Sequence, residues 1–214
     1  MDALRLLGDG ASLVAAGALL SWLGLTGLTG SLLIISRDLE VGIAFLVSLG
    51  LILSIVGYGV YVYGLVKWRD AGRKVLDSLG RRFEWGLKGA SYMWKGLLSQ
   101  LAGLPLMAAG MIFLVSDNDV LASLFVFISI ILVVSGLIAF IAGSTLFGVF
   151  LSRLENVTIN ETYEGLGLTV AGALLAVGSF VLPLQLVAAL LIRSLARRAL
   201  AVGRGPGVNR HVVE

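Results

Sequence analysis

The residues that could do chemistry are few, and they stand at the edges of long apolar stretches. Asp117 and Asp119 are the nearest carboxylate pair, placed so that both could approach one face for ion binding or acid–base work. Tyr58, Tyr61 and Tyr63 cluster within two helical turns and offer phenolic donors. Gln100 and Gln185 are the only amides inside the apolar stretches, and His211, close to the last residue, is the only histidine. There is no cysteine, which excludes disulfides, thiol catalysis, iron–sulfur ligation and thiolate zinc sites. The H-E-x-x-H, G-x-x-x-x-G-K-[ST] and G-x-S-x-G patterns are absent. No catalytic, cofactor-binding or metal-ligating residue is predicted, and no cofactor.

The elements that must position these groups are five runs: Ala11–Ser36, Val41–Val66, Gly96–Ser116, Val120–Ser152 and Gly165–Ile192. None contains Asp, Glu, Lys, Arg or His. A soluble helix keeps a charged face opposite its apolar stripe. These runs keep none, and about 20 apolar residues suffice to cross a hydrocarbon core. Hydrophobic residues are 58% of the chain and charged residues 14%, against roughly 25% charged in soluble domains. The runs are continuous rather than alternating, which excludes a β-barrel. The expected fold is all-α: a polytopic transmembrane bundle of five hydrophobic helices plus one interfacial amphipathic helix. It forms a single domain over residues 1–202, followed by a flexible tail over 203–214. Ala11–Ser36 is too long for a signal peptide's apolar stretch and reads as a retained helix.

The amphipathic helix is predicted within Lys67–Lys95. This segment holds eight bases and three acids, together with Trp68, Phe83, Trp85, Tyr92 and Trp94. Val75, Leu76, Leu79, Phe83 and Leu87 recur at helical spacing, and most of the bases lie off that stripe. Arg73, Lys74, Arg81, Arg82, Trp85 and Trp94 are therefore expected to contact anionic lipid headgroups. That partner fits the interleaved aromatics better than nucleic acid does. The three tyrosines read most simply as part of an aromatic belt.

Most charges sort by helix end. Asp38 and Glu40 precede the second run, Asp117 and Asp119 the fourth, and Glu161 and Glu164 the fifth. Arg37, Lys67, Arg69, Arg153 and Arg193 follow runs. That polarity suits the helix dipole, and Thr158–Glu161 has capping-box spacing.

Bases near spans mark the cytoplasmic side of a cell membrane, which puts segment 67–95 inside. Five crossings then leave ten bases inside and six outside. Four net crossings, with Gly96–Ser116, which has Pro105 near its middle, re-entering or lying at the interface, leave fourteen inside and two outside. The second arrangement also puts the Asn156 and Asn160 sequons outside, where glycosylation would require them. Five is the default, because Asp117-Asn118-Asp119 reads as an ordinary hairpin link.

Glycine occurs 28 times. Small-xxx-small pairs at Gly17/Ser21, Gly50/Ser54 and Gly172/Ala176 are expected to pack helices, within the bundle or between copies. The two N-terminal hairpins look alike in shape but show no sequence repeat. The order of elements, with Lys67-Trp-Arg-Asp-Ala-Gly-Arg-Lys-Val75 and Thr162-Tyr-Glu-Gly-Leu-Gly-Leu-Thr-Val-Ala-Gly172, resembles archaeal multi-pass membrane families of unknown function. The resemblance implies an integral membrane protein and brings no catalytic residues. The expected function is non-enzymatic: a structural or accessory component that self-associates or docks to a membrane complex. The alternative is a channel or carrier for a small neutral or lipidic molecule.

Overall fold

A computed structural model describes residues 2–34, 40–115, 118–158, 167–178 and 182–202. They form six α-helices: α1 (Asp2–Ile34), α2 (Glu40–Leu79), α3 (Glu84–Val115), α4 (Asp119–Thr158), α5 (Gly167–Val177) and α6 (Leu182–Val202). A 3-10 turn, Arg81–Phe83, joins α2 to α3. No strand occurs among the described residues. Three helical stretches are long and apolar enough to cross a membrane: Asp2–Gly24, Ser48–Leu79 and Asp119–Glu155.

The first four helices form two antiparallel hairpins, and one device holds both. Gly10, Gly17 and Gly24 of α1 recur every seven residues and lie opposite Gly64, Gly57 and Gly50 of α2. A Cβ built on Gly17 would lie 2.5 Å from the Tyr61 backbone nitrogen and 2.7 Å from the Gly57 carbonyl oxygen. In the second hairpin Gly89, Gly96, Gly103 and Gly110 of α3 recur at the same interval. They face Gly143, Gly136, Ser129 and Ala122 of α4, and a Cβ on Gly96 would lie 2.5 Å from the Gly136 carbonyl. A period of seven keeps one seam facing its partner along a left-handed supercoil. Small residues on that seam let backbones approach closely, which is how helices associate where the surroundings are as apolar as they are. Ser99 and Ser129 add hydrogen bonds across the α3/α4 seam, donating to the carbonyls of Leu132 and Gly103, each at 2.8 Å. The hairpins thus share a register that a search for matching residues does not reveal.

The hairpins join at one end, called the base below. The buried core draws on residues 7–18, 61–75, 83–97 and 140–154, with contributions from α5 and α6. Trp68 stacks on Phe147 with centroids 4.8 Å apart, and Phe83 meets Phe150 edge-on. Tyr61 tilts against Phe140. Toward the tips large apolar side chains point outward, among them Ile52, Ile55, Phe127, Ile131 and Ile138.

Three expectations about the elements change. No separate surface helix forms over Lys67–Lys95. α2 runs on to Leu79, the chain reverses at Gly80, and α3 starts at Glu84. Gly80 has φ 86°, a left-handed conformation that favours glycine and interrupts the helical stripe. Val75 and Phe83, read as an interfacial stripe, are instead buried in the bundle core. Second, α3 runs unbroken through Pro105, so the chain is not interrupted there. The interruption falls in the fifth run, which forms two helices, α5 and α6, packed on each other. Third, most helices outrun their apolar stretches, so Lys67, Arg69, Arg153 and Arg193 lie inside helices rather than after them. Asn118 Oδ1, 3.4 Å from the Leu121 N–H, does the capping expected of Asp119. Thr158 is the last residue of α4, not the first cap of the next helix. Asp38, Asp117, Glu161, Glu164, Asn160 and the tail 203–214 lie outside the described residues.

Candidate functional site

The polar groups that the fold brings together lie at the base, around the hairpin α5–α6. α5 packs on α4, and α6 packs on α1. Gly148 and Gly172 set the first contact: a Cβ on Gly172 would lie 2.8 Å from the Gly148 Cα. Phe147, Phe150, Leu151 and Leu154 continue an i, i+3, i+4, i+7 stripe in α4. That stripe carries the helix past Arg153 and places Glu155 one turn beyond Leu151.

Glu155 is 3% exposed. Its Oε2 accepts from the Thr169 N–H at 2.7 Å and from the Thr169 hydroxyl at 2.5 Å. Thr169 also lies 3.3 Å from Ser152 Oγ. The carboxylate therefore caps α5 from another helix, at the end where the helix dipole favours negative charge. Its Oε1 is buried with no hydrogen-bond partner among the described residues. At the other end of the hairpin, Gln185 is buried and its Oε1 accepts from the Tyr61 hydroxyl at 3.0 Å. The two contacts pin α5–α6 at both ends, to α4 and to α2.

On the outer face of α6, Leu190, Arg193, Ser194, Arg197 and Arg198 line a groove of about 430 Å³. The described ion pairs join Arg69 to Asp70, Lys74 to Asp2 and Lys88 to Glu84. None involves the α6 arginines. Arg193 Nε is buried without a hydrogen-bond partner among the described residues.

The residues singled out for lipid contact scatter around the base. Arg73, Lys74, Arg81 and Arg82 are exposed, as is Trp85. Arg153 donates to the Arg82 carbonyl at 2.9 Å, tying α4 to the 3-10 turn. Trp94 is half-buried under the Arg69 guanidinium, 5.9 Å from its ring. Lys88 donates to Glu84 at 2.9 Å, and that bond and charge hold its ammonium above the usual lysine pKa. Two aromatics do not serve as anchors at the water boundary. Trp68 is fully buried and donates its indole N–H to the Leu7 carbonyl at 3.1 Å, and Tyr61 is in the core.

Of the packing residues, Gly17, Ser21, Gly50 and Ser54 lie on the α1/α2 seam. A Cβ on Gly57 would lie 2.6 Å from Ser21 Oγ, and one on Gly24 would collide with Ser54 Oγ. Gly172 meets α4 and Ala176 is half-buried on α5. The pairs Gly17/Ser21 and Gly50/Ser54 thus lie together on the seam, and the heptad period extends it to Gly10, Gly24, Gly57 and Gly64.

Sequence reasoning missed Glu155, the Tyr61–Gln185 bond and the α6 groove. Signals for two of them exist. The apolar stripe through Leu154 predicts that α4 continues to Glu155. Gly178 followed by Pro183 is a helix stop and restart, which breaks the fifth run. No family model, curated protein or solved structure matches the chain.

Proposed function

We propose that the chain is a non-enzymatic integral membrane protein, a structural or accessory component built to hold two rigid helical arms on a fixed base. The observation that carries this reading is the doubled glycine seam. Each hairpin is held in backbone contact over several heptads, and the stacked Trp68–Phe147 pair fills the space between the hairpins. A carrier needs elements that rock past one another around a central site. Here the small residues that would permit sliding are spent inside each hairpin, and the base is packed with aromatic rings. The arms present apolar side chains to lipid or to a partner's spans.

Helix length supports one arrangement in the membrane. α5 has 11 residues and is about 16 Å long, roughly half a hydrocarbon core of about 30 Å. We read α1 to α4 as four crossings and α5–α6 as a hairpin that enters and returns on the inner side. Every base except Arg37 then lies inside, and Asp38, Glu40, Asp117 and Asp119 lie outside. The Asn156 and Asn160 sequons fall inside and stay unglycosylated.

Native mass spectrometry of the detergent-extracted protein, after chemical cross-linking in the intact membrane, tests this role. A homo-oligomer or a defined complex is the expected product. A strict monomer with no cross-linked partner would overturn it. A small-molecule channel or carrier is favoured by one observation, the interrupted fifth run with the buried Tyr61–Gln185 pair at its turn. Transporter sites are built at such breaks. Solute flux in proteoliposomes that is lost in Gln185→Leu would establish that reading instead.

A further inference from the structure

We propose that the groove on α6 is a discrete binding site for one anionic phospholipid, with its phosphate among Arg193, Arg197 and Arg198. The inference rests on the membrane reading above. Three guanidinium groups within two turns repel one another, and none has an acidic partner among the described residues. Among the described residues Arg193 Nε is buried with no acceptor. Guanidinium groups match phosphate oxygens in paired hydrogen bonds, and the Ser194 hydroxyl supplies a further donor at the same groove. A groove of about 430 Å³ is ample for such a headgroup.

The same helix face says why the phosphate belongs to a lipid. Pro183, Val187 and Leu190 precede the arginines at helical spacing and are exposed, Val187 at 44% and Leu190 at 46%. The face is thus apolar toward the turn with α5 and cationic toward Val202. Val187 and Arg197 lie about 15 Å apart along the axis. An acyl chain along Val187 and Leu190 would leave its headgroup at the arginines. Free phosphate has no use for the apolar half. The residues named earlier for general headgroup contact sit on α2, the 3-10 turn and α3, and this site is separate from them.

The test uses the full-length protein in nanodiscs with graded fractions of phosphatidylglycerol in phosphatidylcholine, and native mass spectrometry of bound lipid. The Arg193→Gln, Arg197→Gln, Arg198→Gln triple variant is expected to lose roughly tenfold or more in phosphatidylglycerol affinity. Arg73→Gln with Lys74→Gln should change it less than about twofold, since these exposed bases supply only diffuse attraction. Val187→Ser with Leu190→Ser should weaken lipid binding and leave inorganic phosphate binding unchanged. If the triple glutamine variant does not fold, the triple lysine variant carries the test. It keeps the charge and loses the fork, and its affinity should fall several-fold. Equal lipid binding by wild type and the folded triple variant would overturn the site. So would saturation by inorganic phosphate that fully displaces the lipid. Extraction of the wild type from membranes by alkaline carbonate would instead sink the membrane reading on which the site depends.

Discussion

Glu155 of α4 and Thr169 of α5 are joined by two hydrogen bonds that end on one carboxylate oxygen, at 2.7 Å from the backbone nitrogen and 2.5 Å from the hydroxyl. Thr169 stands in the first turn of its helix, so a single buried side chain satisfies both a backbone donor and the dipole. Glu155→Ala should destabilise the fold by about 1–2 kcal/mol, the usual cost of losing a cap. Glu155→Gln keeps an acceptor but not the charge and should cost less. Thermal unfolding in a mild detergent, with protease accessibility of α5, measures both. An alanine variant as stable and as protected as wild type would show that α5 does not depend on this cap.

The glycine seam makes a sharp contrast between neighbours. A Cβ on Gly17 meets only backbone within 2.7 Å, whereas one on Gly59 meets nothing within 4 Å. Gly17→Ala should therefore cost about 1–3 kcal/mol, because two backbones must move apart. Gly59→Ala should be neutral or stabilising by a few tenths to about 1 kcal/mol, through helix propensity. Equal melting temperatures for the two variants would contradict the seam.

The bond from Tyr61 to Gln185 reaches from α2 to the turn of the α5–α6 hairpin. A double-mutant cycle with Tyr61→Phe and Gln185→Leu should give a coupling of about 0.6 kcal/mol, the average for such bonds between membrane helices, and at most about 1.7 kcal/mol. Additive losses would mean that the bond does not hold the hairpin in place.

The absence of cysteine makes topology directly measurable, since any introduced thiol is the only one. Single cysteines at Asn118, Gly80 and Arg198 should react with a membrane-impermeant maleimide as follows. Asn118→Cys labels from outside, and Gly80→Cys and Arg198→Cys label only after permeabilisation. Labelling of Arg198→Cys from outside would restore a fifth crossing.

The class of the molecule is legible in the sequence because it depends on composition. Five runs without a charge admit only helices in an apolar surround, wherever the helix ends fall. The cysteine-free chain and the missing catalytic patterns are equally independent of the fold. The helix boundaries are not, because they depend on local competition. Gly80 outweighed a good amphipathic stripe, while Pro105 did not outweigh the packing of α3 along α4. The seam period was present in Gly10, Gly17 and Gly24, but its meaning needs the facing residues Gly64, Gly57 and Gly50, forty positions away on average. Glu155, Gln185 and the α6 arginines acquire roles only when α5 folds back against α4 and α6 against α1. Sequence spacing measures neighbours along one helix. Burial, caps between helices and unpaired charge are properties of what lies across the gap, and only the tertiary structure supplies that.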